Sequence, residues 1–167
     1  PISNLLQHFE PTNDEILAVR INNEICSLDS NVEINCKLEP VLKNTKDGAN
    51  VYRRSLCLLL ATAAHNLFPA SHLLVGHSLG YGYYYTLDTG TPITQEQITS
   101  LENEMQRLVQ QDLPVTTKTI SYEDAINLFE DLNLTETRKQ LNYIAPQKIK
   151  INCIDNFSDM YFGPLVR

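Results

Sequence analysis

The sequence of 167 residues lacks several features that would place it in a specialised class of protein. Its longest apolar run, Leu56 to Ala64, covers nine residues, whereas a helix needs about 20 to cross a bilayer. No two of the four cysteines form a C-x-x-C pair, which argues against a ribbon-type zinc site. With no low-complexity segment and no internal repeat, the chain is expected to be a globular, cytoplasmic protein that contacts no membrane and keeps its cysteines reduced.

Clustered positive charge is also scarce, since the formal net charge is −7. The adjacent basic pairs are Arg53-Arg54 and Arg138-Lys139. Non-specific binding of nucleic acid depends on grouped lysine and arginine side chains. The composition therefore disfavours tRNA as a partner but leaves room for a small basic cleft.

The segment Gly76-His77-Ser78-Leu79-Gly80 fits the pattern G-x-S-x-G, the nucleophile elbow of α/β-hydrolases. In that fold the base histidine follows the serine, but all four histidines of this chain come before Ser78: His8, His65, His72 and His77. The elbow must also lead into a helix, whereas Tyr81 to Leu87 is aromatic and typical of a strand. The segment therefore predicts a strand, a turn and a second strand, and no catalytic residue.

The first part of the chain is predicted to be rich in strands. Asn22-Asn23 separates two β-prone runs and indicates a tight hairpin. A further strand is expected over Val32 to Leu42, and a short amphipathic helix over Ile2 to Phe9. The polar stretch Lys43 to Asn50 favours a boundary.

The rest of the chain alternates helix and strand signals. Apolar residues at helical spacing predict a helix from Val51 to Phe68, which Pro69 ends. Thr94 and Ser121 are expected to cap helices that begin after them. A short helix around Leu134 to Leu141 and strands over Leu73–Gly76, Tyr81–Leu87, Val115–Ile120 and Lys148–Ile154 complete the prediction. This order indicates an α+β domain with a mostly antiparallel sheet covered by helices on one face.

Three segments, in this order, resemble the N-terminal half of threonyl-tRNA synthetases. They are Phe68-Pro69 with Gly80 to Tyr85, Ile93 to Val115, and Ser121 to Ala125 with Leu128-Phe129. The likeness extends over about Ile16 to Val166. It implies a partial β-grasp segment of the TGS type over residues 1–48 and, over residues 49–167, an editing-like domain of the kind that alanyl-tRNA synthetases share.

The resemblance also identifies positions where the chain departs from the family. Editing domains carry four metal or catalytic ligands, in H-x-x-x-H on a helix and C-x-x-x-H near the end. The matching positions here are Arg54 and Leu58, and Tyr161 and Leu165. Leucine cannot bind a metal and arginine stays protonated. We therefore expect no metal and no deacylation by the family's route.

A closer resemblance is to bacterial nucleoside kinases of the uridine kinase type, which carry such a region ahead of a P-loop domain. The matching segments are Val51 to Leu56, His77-Ser78-Leu79 and Gly82-Tyr83-Tyr84. The sequence contains no G-x-x-x-x-G-K-[ST], so the kinase machinery is absent from it. The resemblance implies a regulatory or ligand-sensing region whose partner is its own C-terminal kinase domain, with both ends of the chain cut.

The resemblance implies different cofactors for the missing kinase domain and for this chain. ATP and Mg²⁺ are implied for the missing kinase domain, and no cofactor is expected in this chain. Two alternatives stay open: a divergent tRNA-editing deacylase, and a nucleotide- or RNA-binding module without chemistry.

A candidate ligand cleft is expected where the replaced ligands converge. Family analogy places Arg54, His77, Tyr83 and Tyr161 there. Arg54 could hold a phosphate or carboxylate, form a structural ion pair, or be a solvated arginine. His77 could be a general base or ligand contact, or a hydrogen-bonded turn residue. On a strand, alternate tyrosines face opposite sides, so half of Tyr81, Tyr83, Tyr84 and Tyr85 are expected in the core and half at the surface, where they could stack on a base. His65 and His72 are interpreted as surface or helix-end residues.

Overall fold

A computed structural model of the protein describes residues 2–4, 15–80, 82–144 and 146–166. Its described residues form two compact units. The first lies within Pro1–Leu56 and Tyr161–Arg167, and the second within Cys57–Met160. The predicted domain boundary after residue 48 stays a prediction.

The first unit contains a three-stranded antiparallel sheet. Its strands are β1 (Ile16–Ile21), β2 (Glu24–Cys26) and β3 (Leu38–Leu42), in the order β2-β1-β3. Asn22 adopts a φ of 53° in the turn between β1 and β2, a backbone angle that asparagine tolerates better than most residues. The predicted Asn-Asn hairpin is confirmed.

The third strand is shorter than its alternating sequence predicts. It was expected from Val32 but begins at Leu38, which pairs with Ile21 at the end of β1. The chain turns away at Asn22, whose amide donates to the Lys37 carbonyl while its side-chain oxygen accepts from the Lys37 amide. Residues before Leu38 therefore have no strand opposite them, and Ile34 is 71% exposed.

In the predicted N-terminal helix, residues 2–4 form a 3₁₀ turn and residues 5–9 lie outside the described ranges.

The first helix, α1 (Lys46–Leu67), begins earlier than its apolar periodicity predicts. Thr45 starts it, because its hydroxyl oxygen accepts a hydrogen bond of 3.1 Å from the Gly48 amide. A Cβ at Gly48 would lie 1.9 Å from the carbonyl oxygen of Leu42, so only glycine permits this close approach to β3. Val51 of α1 then packs with Ala18 and Val41 of the sheet.

The second unit begins with the remainder of α1 and an antiparallel pair, β4 (His72–Leu79) and β5 (Gly82–Asp88). Helix α2 (Gln95–Gln110) follows, and the predicted capping box is confirmed: the Thr94 hydroxyl accepts from the Gln97 amide, and the Gln97 side chain accepts from the Thr94 amide. Apolar side chains of α1, β5 and α2 pack into one cluster that contains Ala63, Ala64, Leu87, Leu101 and Leu108.

A second antiparallel sheet of this unit has the order β6-β7-β8. It consists of β6 (Thr116–Ser121), β7 (Lys148–Ile154) and β8 (Phe157–Asp159), and α3 (Tyr122–Asp131) and α4 (Thr135–Ile144) connect β6 to β7. The Ser121 cap on α3 is confirmed, whereas β8 was not predicted. Side chains of α3, α4 and β7 form the core: Ala125, Phe129, Leu141, Ile149, Ile151 and Cys153.

The predicted α+β class is confirmed, since all strand pairs of the described residues are antiparallel and helices pack on them. The strands of the described residues form three small sheets. The predicted strand–turn–strand around Ser78 is β4, a turn with a positive φ at Gly80, and β5. Tyr81 lies outside the described residues.

Candidate functional site

Arg54 is tied to the C-terminal segment of the first unit. Its Nη1 donates a hydrogen bond of 2.7 Å to the carbonyl oxygen of Pro164. The next helical residue, Ser55, accepts a hydrogen bond of 2.7 Å from the amide of Val166. These two hydrogen bonds hold the segment that contains Leu165 against α1. Arg54 and Leu165, two of the positions that the resemblance matches to family ligands, are thus neighbours.

Gly163 makes this arrangement possible. Its φ is +104°, a region that residues with a side chain rarely adopt. A Cβ there would lie 2.9 Å from Nη1 of Arg54, so the backbone passes directly against the guanidinium group. The segment Gly163-Pro164-Leu165 therefore packs against the guanidinium group of Arg54.

Arg54 makes a structural contact of a kind that was not predicted, and its role in holding a phosphate or carboxylate stays a prediction. Its recorded partner is a backbone carbonyl, and the ion pairs recorded among the described residues do not include it. A guanidinium carries five N–H donors. Arg54 therefore keeps donors that could meet an anion while one of them fixes the C-terminal segment.

The other replaced positions are apolar or aromatic. Leu58 is fully buried and Leu165 is 7% exposed, so each contributes to a hydrophobic interior. Tyr161 is half-buried. Within the described ranges, no group of three or more histidine, cysteine, aspartate or glutamate side chains is arranged to hold a metal ion.

His77 lies on the exposed hairpin of β4 and β5. Its ring stacks on Tyr84 with centroids 5.6 Å apart and an interplanar angle of 17°. The strand register shifts between Val75 and Ser78, and Ser78 pairs with Tyr83 on the facing strand. The Ser78 hydroxyl donates a weak hydrogen bond of 3.5 Å to the Gly82 carbonyl. His77 thus has an aromatic neighbour, Tyr84.

The four residues of the predicted cleft are divided between the two units. Arg54 and Tyr161 belong to the first unit, and His77 and Tyr83 to the second. A common cleft for all four stays a prediction.

The second unit contains a cavity that the sequence did not reveal. Its volume is about 80 Å³. His65 of α1, His72 of β4, Thr137 of α4 and Asp159 of β8 line it, and the ring of His65 lies 5.3 Å from that of the buried Phe157. The interpretation of His65 and His72 as surface or helix-end residues was therefore incomplete, because both are half-buried at this cavity.

Asp159 lines the cavity, and the pKa of its carboxyl group is raised. Burial of its carboxyl group raises the pKa to about 6, although hydrogen bonds from the Met160 amide and the Thr137 hydroxyl act in the opposite direction. Both bonds end on Oδ1, at 2.7 Å and 2.9 Å. The side chain is thus a positioned acid whose proton is exchanged near neutral pH. No sequence motif pointed to this acid, because its partner Thr137 lies 22 residues earlier in the chain.

The side chain of Tyr85 ends in a buried hydroxyl group. Its hydroxyl has no hydrogen-bond partner among the described residues. Burial, together with the neighbouring Cys57 thiol, raises the pKa of this phenol above its usual range. The two side chains lie close together where α1 packs against β5, and both residues are half-buried.

Within the part of the chain that the structure describes, none of the helices has the combined length and apolar character needed to cross a membrane. No protein-family profile matches the sequence.

Curated relatives do match. The chain is 32% identical over 155 residues to a threonine–tRNA ligase of Desulforamulus reducens, covering 91% of this chain and 24% of that protein. It is 30% identical over 158 residues to the threonine–tRNA ligase of Lawsonia intracellularis, covering 94% and 25%. The enzyme of Syntrophomonas wolfei is 32% identical over 150 residues, with 89% and 24% covered.

These matches distinguish the synthetase interpretation from the nucleoside kinase interpretation. They support the alternative of a synthetase-related region and give no support to a uridine kinase parent. The chain spans about a quarter of the length of the curated relatives it matches. This chain is a homologue of a region of threonine–tRNA ligases.

Proposed function

We propose that this chain is a non-hydrolytic counterpart of the editing region of threonyl-tRNA synthetases, which serves as a ligand-sensing module. The observation that carries the proposal is the bond between Arg54 and Pro164. At the position of a family metal or catalytic ligand, a permanently charged guanidinium instead holds the C-terminal segment on α1.

The other replaced positions support the same function. A hydrolytic site needs a group that activates water, either a metal or a general base. The buried leucines at positions 58 and 165 can supply neither. The fold is kept while the hydrolytic groups are missing, which is the pattern expected of a binding module.

The test is deacylation of mischarged threonine tRNA by the purified chain, with bound zinc measured by elemental analysis. We expect no hydrolysis above the rate without protein and no stoichiometric zinc. The matched variant restores all four family ligands, with Arg54→His, Leu58→His, Tyr161→Cys and Leu165→His. Deacylation by the unaltered chain would overturn the proposal.

A second experiment tests the sensing role. Calorimetric titrations with tRNA and with nucleotides, each at two salt concentrations, would identify the class of ligand, since phosphate contacts weaken as salt rises. We expect Arg54→Ala to weaken binding of a phosphate-bearing ligand, because it removes the guanidinium at the C-terminal segment.

The nucleoside kinase assignment is the second candidate, and its support is the likeness at His77-Ser78-Leu79 and Gly82-Tyr83-Tyr84. In that case the region would regulate a P-loop domain that uses ATP and Mg²⁺. Reading the gene beyond Arg167 separates the two candidates: a G-x-x-x-x-G-K-[ST] sequence favours the kinase, and a synthetase catalytic core excludes it.

A further inference from the structure

Strand β5 has an outer edge that is open to another chain. It pairs with β4 on one side and, among the described residues, with no strand on the other. An open edge presents unpaired N–H and C=O groups, and natural proteins usually block it with a short strand, a lysine, a proline or a β-bulge.

The other edge strands of the described residues carry such protection. Strands β2 and β8 contain three residues each, β3 contains Pro40, and β6 contains Lys118. Strand β4 has a bulge, because Gly76 and His77 together oppose the single residue Tyr84. Strand β5 is regular over seven residues and has none of these features before its last residue, Asp88.

The side chains around this edge are apolar or aromatic and exposed. Tyr83 and Tyr84 of β5 are 42% and 52% exposed, and Val75 and Leu79 of β4 are 62% and 57% exposed. Aromatic and β-branched residues favour extended pairing. A contiguous exposed apolar surface is typical of an interaction site.

Charge narrows the kind of partner. Residues 72–87 contain no lysine, arginine, aspartate or glutamate. A nucleic acid or an anionic membrane would require basic side chains at this surface. A second copy of the chain meets the requirement, because an uncharged edge then pairs with an identical uncharged edge.

The register of such a pair follows from the sequence of β5. A two-fold axis at Tyr85, the central residue of the strand, places Tyr84 opposite Thr86 of the second copy. Aromatic and β-branched side chains form favourable cross-strand pairs. The same register places Asp88 opposite Gly82, so the two carboxylates do not face each other.

We propose that β5 pairs antiparallel with β5 of a second copy, which joins the two hairpins into a four-stranded sheet. Seven residues extend over about 24 Å, and a sheet is about 10 Å thick, so each copy buries about 240 Å² along the edge. Stable interfaces bury about 800 Å² on each partner, so this dimer is weak and reversible. The pairing is independent of the proposed ligand sensing, because it is measured without ligand.

The test is sedimentation equilibrium of the full chain up to about 1 mM, where we expect a monomer–dimer equilibrium with a dissociation constant of about 0.1 mM to 1 mM. Each copy has a net charge of −7. Raising sodium chloride from about 0.05 M to 0.5 M should therefore strengthen the dimer, since salt screens the repulsion between the copies.

The decisive variant is Thr86→Lys. The two-fold axis makes the two substituted residues diagonal neighbours about 7 to 8 Å apart, so their charges repel. The dimer should weaken at least tenfold. The matched control is Thr116→Lys, which makes the same change at an exposed residue of β6, the strand that Lys118 already protects. It should leave the dissociation constant unchanged.

A second measurement identifies the contact on the unaltered chain and does not depend on the folding of Thr86→Lys. In a mixture of isotope-labelled and unlabelled copies at about 1 mM, filtered nuclear Overhauser spectra should connect the Thr86 methyl group of one copy with the Tyr84 ring of the other. A chain that stays monomeric to this concentration would overturn the proposal. So would a dimer that lacks this contact, or one that Thr86→Lys leaves intact.

Discussion

The guanidinium group of Arg54 and the carbonyl oxygen of Pro164 are 110 residues apart in the sequence and 2.7 Å apart in space. The bond fastens the C-terminal segment to α1 in the first unit. In an active editing domain, ligand positions 54 and 165 would serve a metal or catalytic centre. In this chain the same neighbourhood serves structure, with an arginine as the fastening group and a buried leucine beside it.

Truncation of this arginine should loosen the C-terminal segment. Arg54→Ala removes a charged donor from a half-buried carbonyl, and we expect a loss of about 1 kcal/mol in the free energy of unfolding. Thermal unfolding measures it. Arg138→Ala is the control, because it breaks only an exposed ion pair with Glu130. That change should stay within about 0.5 kcal/mol. Equal effects of the two variants would contradict a fastening role for Arg54.

Gly163→Ala should destabilise the first unit for two reasons. The φ of +104° strains any residue with a Cβ, and that Cβ would lie 2.9 Å from Nη1 of Arg54. We expect a cost of about 1 to 3 kcal/mol.

A double-mutant cycle separates the two contributions. In the Arg54→Ala background, Gly163→Ala should cost less, because the contact with the guanidinium is gone while the backbone strain remains. If the two variants were additive, the proximity of Gly163 to Arg54 would have no energetic consequence.

Local signals in the sequence predicted the helices best. The hydroxyls of Thr94 and Ser121 accept hydrogen bonds from amides three residues later, so each cap is determined within a single turn. The Asn22 hairpin is local in the same sense. The strand predicted from Val32 failed because a strand also needs a partner, and β1 offers none beyond Ile21.

The cavity could not be predicted for a related reason. His65, His72, Thr137 and Asp159 come from four elements, and their spacing in the sequence follows no known pattern. The burial of an aspartate can be recognised only when its neighbours in space are known. From sequence alone, a carboxyl group is expected to be exposed. The replaced ligand positions, in contrast, could be proposed from motif comparison, because each motif lies within one short segment, and they stay a prediction.

Tyr85→Phe should not destabilise the second unit. The variant removes a buried hydroxyl that has no hydrogen-bond partner among the described residues. Removing a desolvated, unpaired polar group is neutral or favourable, so we expect a gain between about 0 and 1 kcal/mol in the free energy of unfolding. Tyr84→Phe, at a side chain that is 52% exposed, is the control and should change little. A clear loss of stability in Tyr85→Phe would mean that the hydroxyl has a partner.

Asp159 should make the stability of the second unit depend on pH. Burial raises the pKa of its carboxyl group from 3.8 to about 6 in the folded protein, so the folded state binds this proton more tightly than the unfolded state. The favourable contribution is complete below about pH 4 and is lost as the pH rises through 6. The difference corresponds to about 3 kcal/mol.

Asp159→Asn isolates this contribution from that of other acids. Glu104 acts in the opposite sense, because hydrogen bonds from Arg107 and Asn66 lower its pKa to about 2. The comparison is therefore the stability of Asp159→Asn minus that of the unaltered chain, measured by chemical denaturation between about pH 4 and pH 8. We expect almost no difference at pH 4 and a more stable variant at pH 8, because asparagine keeps an oxygen for Thr137 without a buried charge. A difference that does not change with pH would show that the pKa of Asp159 is the same in the folded and the unfolded protein.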